Sequence, residues 1–284
     1  MRHISSLGEL KDTISGLKKN GKTIGFVPTM GALHEGHLSL IRKSKAQNDF
    51  SVVSIFVNPL QFNNTNDLDA YPRVLNEDLM LLKKHNVDLV FTPSEKDLYP
   101  SNPIVSIDFG PLSTKLEGKF RKGHFEGVGV VVSKFFHLVD PNRAYFGLKD
   151  LQQFILIRKM CEDLSFNCEV VGVETIREES GLALSSRNRR LSKEGLNTAA
   201  IIHRGLLAIK EGVEKREPLS KSMKKARALY QGKNDFELEY LEAIDPTTLD
   251  SVEEYFSLTE LAICVAGYVE GVRLIDNLYL RLKE

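Results

Sequence analysis

The sequence predicts an α/β fold: a doubly wound, Rossmann-like parallel sheet with a smaller C-terminal α+β domain. Three observations carry that expectation. From about residue 20 to about residue 180, short apolar runs alternate with amphipathic, helix-periodic runs, the pattern of βαβ units. Several apolar runs are hydrophobic at consecutive positions, as strands buried on both faces are. After Arg190 the texture changes to long helical stretches followed by strand-like runs. The boundary falls near 176–192, giving domains 1–180 and 181–284.

The elements follow in order. Residues 23–27 (TIGFV) read as a strand ended by Pro28. Residues 37–48 place Leu38, Ile41 and Lys45 at helical spacing, with cationic residues toward the C-terminal end, and read as a helix. Residues 51–57 (SVVSIFV) form a second strand. The polar run 58–71 reads as a loop and 73–85 as a helix. Residues 87–93 (VDLVFTP) are a third strand and 104–110 (IVSIDFG) a fourth. Residues 127–138 fit either a strand or a helix, and Asp140 and Pro141 end them. RAYFG is a short strand, 149–164 a helix and 167–176 another strand. Helices over 193–215 and 219–231 then precede two strand-like runs.

Composition narrows the function classes. With 284 residues and 42% hydrophobic residues the chain can bury a proper core. Its 38 basic and 38 acidic residues cancel, which argues against a protein built to coat nucleic acid or a membrane. The three cysteines form no C-x-x-C pair, which fits a reducing compartment and offers no zinc framework. The N-terminal MRHISSLGELKD lacks an apolar signal core, and no run approaches the roughly 20 apolar residues of a membrane span. The expectation is a soluble cytoplasmic protein.

Chemistry concentrates at predicted strand ends. In PTMGALHEGHLSLI a strand ends, a turn with Gly31 follows, and a helix starts near His34 to His37. A helix start offers unpaired backbone N–H groups and the positive dipole end, which favour anions. Positions i and i+3 share a helix face, so both imidazoles can donate to one phosphate. Two packed or surface histidines are the plainer alternative. Zinc would need a third ligand, and helical zinc pairs more often stand at i, i+4. Asn58 and Gln61 follow the second strand directly and suit hydroxyl or carboxylate recognition, or are an ordinary polar loop. Lys119, Arg121, Lys122 and His124 could hold an anion or form a solvated basic turn. Lys149 could meet a phosphate and Asp150 could cap a helix. At most one of Gln152 and Gln153 points into a site, because neighbours on a helix diverge. Ser185, Ser186, Arg187, Arg189 and Arg190 make either a phosphate clamp or a linker.

Taken together, PTMGALHEGHLSLI, FVNPLQF, YPR, KGHFEGV, YFGLKDLQQ, LALSSRN and the terminal RLIDN resemble the pantoate–β-alanine ligase (pantothenate synthetase) family, in order and over most of the chain. H-x-G-H alone marks a whole superfamily of nucleotidylyltransferases and class I aminoacyl-tRNA synthetases; NPLQF, KDLQQ and SSRN narrow it. The resemblance implies ATP-dependent condensation of (R)-pantoate with β-alanine through a pantoyl adenylate, releasing AMP and pyrophosphate. It implies ATP with Mg²⁺ as substrate, no tightly held protein metal, a homodimer, and small molecules rather than nucleic acid or membrane as partners. It makes the first domain the ATP- and pantoate-binding one and the second a lid.

Residue by residue, the resemblance assigns ATP to Met30, Gly31, Ala32, Leu33, His34, Glu35, Gly36 and His37, with His37 the catalytic proton donor. Gly147, Leu148, Lys149 and Asp150 match a nucleotide segment, with Lys149 on phosphate. Ile176 matches a main-chain contact to adenine, and Leu184, Ser185, Ser186 and Arg187 a mobile phosphate loop. Gln61 matches a glutamine shared by pantoate and β-alanine, and Gln153 a second pantoate contact. Four positions depart from the family: Leu184 stands for Met, Asn66 for Glu ahead of YPR, Leu148 for a polar or basic residue, and Lys122 for Pro. The competing classes are another nucleotidylyltransferase with the same H-x-G-H chemistry and a non-catalytic nucleotide-binding module.

Overall fold

A computed structural model of the chain describes residues 1–63, 65–233 and 235–282. These divide into two compact units, residues 1–148 with 153–174, and residues 149–152 with 175–284.

The first unit is built on a parallel sheet of β1 (Arg2–Ile4), β2 (Ile24–Thr29), β3 (Phe50–Ile55), β4 (Leu89–Phe91), β5 (Arg143–Gly147) and β6 (Glu169–Val173), in the order β1-β4-β3-β2-β5-β6. The doubly wound sheet predicted from the alternation is therefore present. Its central strands bury both faces, and neighbouring residues go to opposite layers. Phe26, Val52, Leu89, Phe91, Ala144 and Phe146 join a core under the helices Leu7–Lys19, His124–Val139 and Leu151–Asp163. Val27, Val53, Val90 and Tyr145 join a second core under Glu35–Gln47 and Leu75–Lys84. Phe26 meets Phe135 at a ring-centroid distance of 5.6 Å, so truncating either ring would cost about 3–5 kcal/mol.

The order also locates the ligand crevice. From β2 the chain runs outward through β3 and β4, then returns to place β5 on the other side of β2, with Gly25 beside Arg143 and Phe26 beside Ala144. Ligands of such sheets collect outside the carboxyl ends of the strands at this switch point. Those ends are Thr29 and Gly147.

Two sequence expectations are corrected, one open alternative is resolved and one boundary is refined. No strand forms over 104–110; the segment runs into a 3-10 turn, Gly110–Thr114, with Ile104 and Val105 exposed and no strand partner among the described residues. The ambiguous run 127–138 is helical, because Val128, Val131, Val132, Phe135, Phe136 and Val139 make one buried stripe at helical spacing. The polar run 58–71 is not a plain loop: it holds a 3-10 turn, Pro59–Gln61, and the short helix Thr65–Asp69. The helix after β2 spans Glu35–Gln47, leaving His34 outside it as the N-cap.

The second unit has the helices Lys193–Ala199, Ile201–Glu214 and Leu219–Gln231, then an antiparallel sheet of β7 (Glu237–Ile244), β8 (Glu260–Val269) and β9 (Val272–Arg281). This is the α+β pattern expected after Arg190. β8 is central and almost wholly buried. It turns into β9 through Glu270 and Gly271, both at positive φ, the backbone of the tightest hairpins.

Candidate active site

The turn leaving β2 is held from below. Gly31 (φ 81°) and Ala32 (φ 50°) are consecutively left-handed. Thr29 Oγ1 donates to the Ser54 carbonyl (2.8 Å) and accepts from the Gly31 N–H (3.2 Å). The carboxylate of Asp78, buried in the first turn of Leu75–Lys84, accepts from Ala32 N–H (2.9 Å) and Leu33 N–H (2.8 Å). A Cβ on Gly31 would stand 2.9 Å from Asp78 Oδ2, so only glycine lets the carboxylate this close. Ala32 and Leu33 side chains are themselves core.

The two histidines cap the helix that follows. His34 Nδ1 accepts from Gly36 N–H (3.1 Å), and His37 Nδ1 accepts from His34 N–H (3.2 Å). This is a reciprocal capping box built from imidazoles. The rings lie 4.1 Å apart at 45°. Gly36 allows the fold-back, since a Cβ there would meet His34 Nδ1 at 2.9 Å. An Nδ1 that accepts cannot carry a proton, so each neutral ring bears its hydrogen on Nε2. The expectation of open N–H groups at this helix start is therefore corrected: those of Gly31 to His34 and of Gly36 already have intramolecular acceptors. Glu35 points away and pairs with Arg42.

Gln61 is buried and fixed on every side. Asn58 Nδ2 donates to Gln61 Oε1 and to the Gly127 carbonyl, both at 3.1 Å, while Asn58 Oδ1 accepts from Tyr99 OH (2.9 Å). Burial first, and Glu95 second, raise the Tyr99 pKa and keep that hydroxyl a donor. His124 Nδ1 holds the Gln61 carbonyl at 2.7 Å. Gln61 Nε2 faces Met30 Sδ at 3.1 Å, which joins this amide to the β2 turn. Within KGHFEGV, then, His124 is buried against Gln61, whereas Lys122, and Lys119 ahead of the motif, are exposed.

Gly147 ends β5, and the Leu148 side chain seats over Gly172 of β6, so the apolar residue at this departure has a packing role. Lys149 and Asp150 share the 3-10 turn Leu148–Asp150, with Nζ 4.0 Å from Asp150 Oδ1. Gln152 is buried and Gln153 half-buried. In the second unit, residues 176–184 form a tight hairpin: Leu184 N–H donates to the Ile176 carbonyl (3.0 Å), and Arg177 and Ala183 bridge. The hairpin thus brings Ile176 beside Leu184. Ser185 Oγ accepts from Arg187 N–H (3.2 Å) and caps the 3-10 turn Ser186–Arg190. Asn66 lies in Thr65–Asp69 and Lys122 is exposed just before Gly123.

Sequence reasoning missed Asp78, Tyr99, and the Arg177, Asp276 and Asn277 group. RLIDN was the only signal for the last of these. Among the described residues, no three or more His, Cys, Asp and Glu side chains gather into a metal-holding group, and no helix is long and apolar enough to cross a membrane.

A family model described as pantoate-beta-alanine ligase matches residues 2–279. The chain belongs to the pantoate–β-alanine ligase family. Relatives agree over full length. A pantothenate synthetase of Cytophaga hutchinsonii is 46% identical over 288 residues, covering 99% of this chain and 100% of the relative. One of Caldicellulosiruptor saccharolyticus is 43% identical over 280 residues, covering 98% and 99%. The crystal structure of pantothenate synthetase from Thermus thermophilus superposes with a TM-score of 0.93 at 42% identity, covering 98% and 99%. A Francisella tularensis pantoate-beta-alanine ligase, solved with beta-gamma ATP and beta-alanine, gives 0.80 at 36%, covering 98% and 97%. The family resemblance carried by the motifs is thus borne out, and with it the ligase class.

Proposed function

We propose that this chain condenses pantoate with β-alanine, using MgATP as substrate. The pantoate carboxylate attacks the α-phosphorus and pyrophosphate leaves. The β-alanine amine then attacks the acyl carbon of the pantoyl adenylate, loses a proton, and AMP departs. The chain supplies positioning and charge stabilisation rather than a covalent partner.

The observation that carries this reading is the contact of Met30 with Gln61. It joins the turn that leads into the histidine pair to a buried amide suited to a carboxylate and a hydroxyl. His34 and His37 donate hydrogen bonds through Nε2 to phosphate oxygens, and the proton-donor role that the resemblance gives His37 is hydrogen-bond donation from Nε2 to the charge that builds on the departing pyrophosphate. Lys149, Ser185, Ser186 and Arg187 hold phosphates as well, and Ile176 meets adenine through its main chain. Gln61 and Gln153 hold pantoate, and Gln61 also β-alanine. Mg²⁺ arrives with the phosphates. The division into an ATP- and pantoate-binding domain (1–180) and a lid (181–284), the homodimer and the cytoplasmic location belong to the same proposal. Three free cysteines support the last; family resemblance alone supports the homodimer.

Incubation with ATP, Mg²⁺, pantoate and β-alanine should yield AMP and pantothenate in equal amounts. AMP release that ignores β-alanine would overturn the reading and favour a different nucleotidyl transfer. His37→Ala should slow pyrophosphate release by about 10²–10³-fold, the usual weight of one donor aimed at developing charge, at unchanged circular dichroism; an unchanged rate removes the role.

A further inference from the structure

One strand of the second unit reaches both of its nucleotide-assigned segments. Asp276 and Asn277 are neighbours on β9 and both are buried. Successive side chains on a strand point to opposite faces, so the pair reaches two places at once. On one side, the Asp276 carboxylate takes the Arg177 guanidinium in a two-point grip, with Nη1 at 2.6 Å from Oδ2 and Nη2 at 3.0 Å from Oδ1. Arg177 is the second residue of the 176–184 hairpin, and its Nη1 also donates to the Gly181 carbonyl at the turn (3.2 Å). Its Nη2 reaches the Asn277 carbonyl (3.4 Å), and Asp276 Oδ1 accepts from Asn277 N–H (2.8 Å). On the other side, Asn277 Nδ2 donates to the main-chain carbonyl of Lys149 at 2.7 Å.

We infer that Arg177, Asp276 and Asn277 are positioning residues for ATP, with β9 setting the hairpin that carries Ile176 and Leu184 and, independently, the turn that carries Lys149. The inference rests on the function proposed above. The Asp276 carboxylate is only 3% exposed and Arg177 20%, so the pair is screened little by water and its planar, two-point geometry fixes orientation as well as distance. Lys149 is a flexible point charge. Holding its carbonyl fixes the point from which its ammonium reaches toward a phosphate. None of the three residues needs to touch the nucleotide.

The test uses the full-length chain and initial rates of pantothenate formation with each substrate varied in turn. Asn277→Ala should raise KM for ATP about tenfold, the weight of one well-placed hydrogen bond, with KM for pantoate and β-alanine within about twofold. Arg177→Lys keeps the charge but loses the two-point grip, and should raise the same constant by a similar factor. Asp276→Asn should exceed either. Asn277→Gln, which keeps a donor, should recover part of the loss. If Asp276→Asn fails to fold, Asn277→Ala and Arg177→Lys decide. Equal changes in all three KM values, an unchanged KM for ATP at a lowered unfolding midpoint, or failure of Asn277→Ala to fold would each overturn the inference in favour of a purely structural role. Failure of the wild-type chain to make pantothenate would instead overturn the proposed function, which the same assay reads first.

Discussion

Gly127→Ala separates packing at the site from ordinary helix energetics. Gly127 lies in the helix His124–Val139, where alanine should stabilise by up to ~1 kcal/mol on propensity alone. The structure predicts the reverse. A Cβ there would lie 2.3 Å from the Leu60 carbonyl oxygen, 2.5 Å from its carbon and 2.8 Å from Gln61 N, against 3.4 Å for ordinary contact. These are main-chain atoms of the turn Pro59–Gln61, so no side chain can swing aside. The turn must retreat by about 1 Å, weakening the bonds from Asn58 to the Gly127 carbonyl and from His124 to the Gln61 carbonyl. Overpacking of this kind costs about 1–3 kcal/mol, which outweighs the propensity gain. A displacement near 1 Å at a substrate-positioning residue costs about 10²-fold in rate. We therefore expect kcat/KM for pantoate to fall about 100-fold, or about 2.7 kcal/mol of transition-state stabilisation, with KM for ATP changed by less than about threefold. Gly129→Ala is the control, because its new Cβ would meet the Phe109 ring and Ile107 Cβ at 3.0–3.1 Å, contacts that a shift of a few tenths of an ångström relieves. A Gly127→Ala enzyme with wild-type kcat/KM for pantoate and an equal or raised unfolding midpoint would refute the reasoning.

Other perturbations address separate parts of the molecule. Asp78→Asn turns an N–H donor toward Ala32 or Leu33 N–H in place of an acceptor; urea unfolding should show a loss of about 2–4 kcal/mol, together with a raised KM for ATP. The His203 pKa is lowered first by burial and then by Arg177, with Asp276 opposing. Its neutral form therefore stabilises the fold fully above the unfolded-state value near 6.5, and that contribution is lost as pH falls through 6.5 toward the lower folded value. The urea midpoint should thus fall more between pH 7.5 and pH 5 in the wild type than in His203→Gln, and parallel curves would refute this. Burial, more than any neighbouring charge, pushes the Cys161 thiol up to about 11 and the Cys168 thiol up to about 12. Both should react slowly with a thiol reagent at pH 8 in the folded chain and quickly in urea; rapid native labelling of either would contradict that.

The central strands were legible because both of their faces are buried: TIGFV and SVVSIFV have no polar face to hide their identity. β1 was not. Arg2, His3 and Ile4 carry one buried side chain, and their pairing with Leu89, Val90 and Phe91 is decided by residues far along the chain. The run 104–110 misled for the opposite reason: it has strand composition, but composition cannot supply a partner strand. The site divides the same way. His34, His37, Gln61 and Lys149 stand out locally through their flanking glycines and strand ends. Asp78 reads as an ordinary acidic residue in a helix's first turn, a favourable place for a carboxylate without any further task. Only the long-range fold turns it inward, onto the N–H groups of Ala32 and Leu33.

The capping role of the histidines changes what the H-x-G-H spacing means. On a helix face, positions i and i+3 would bring two imidazoles together whatever lay between them. Here His34 precedes the helix, and the spacing is that of a capping box, in which N-cap and N3 exchange backbone donors. That exchange consumes both Nδ1 atoms. An aspartate cap would satisfy the helix end equally well and leave no donor behind; an imidazole has a second nitrogen. The helix end thus fixes the tautomer of each ring through backbone donors, and the hydrogen on Nε2 follows from that exchange. Replacing His37 by asparagine, which can still accept from His34 N–H, should therefore retain more stability than alanine while remaining as slow in pyrophosphate release. If asparagine restored the rate, capping alone would account for the histidine, and the donor role assigned to Nε2 would fail.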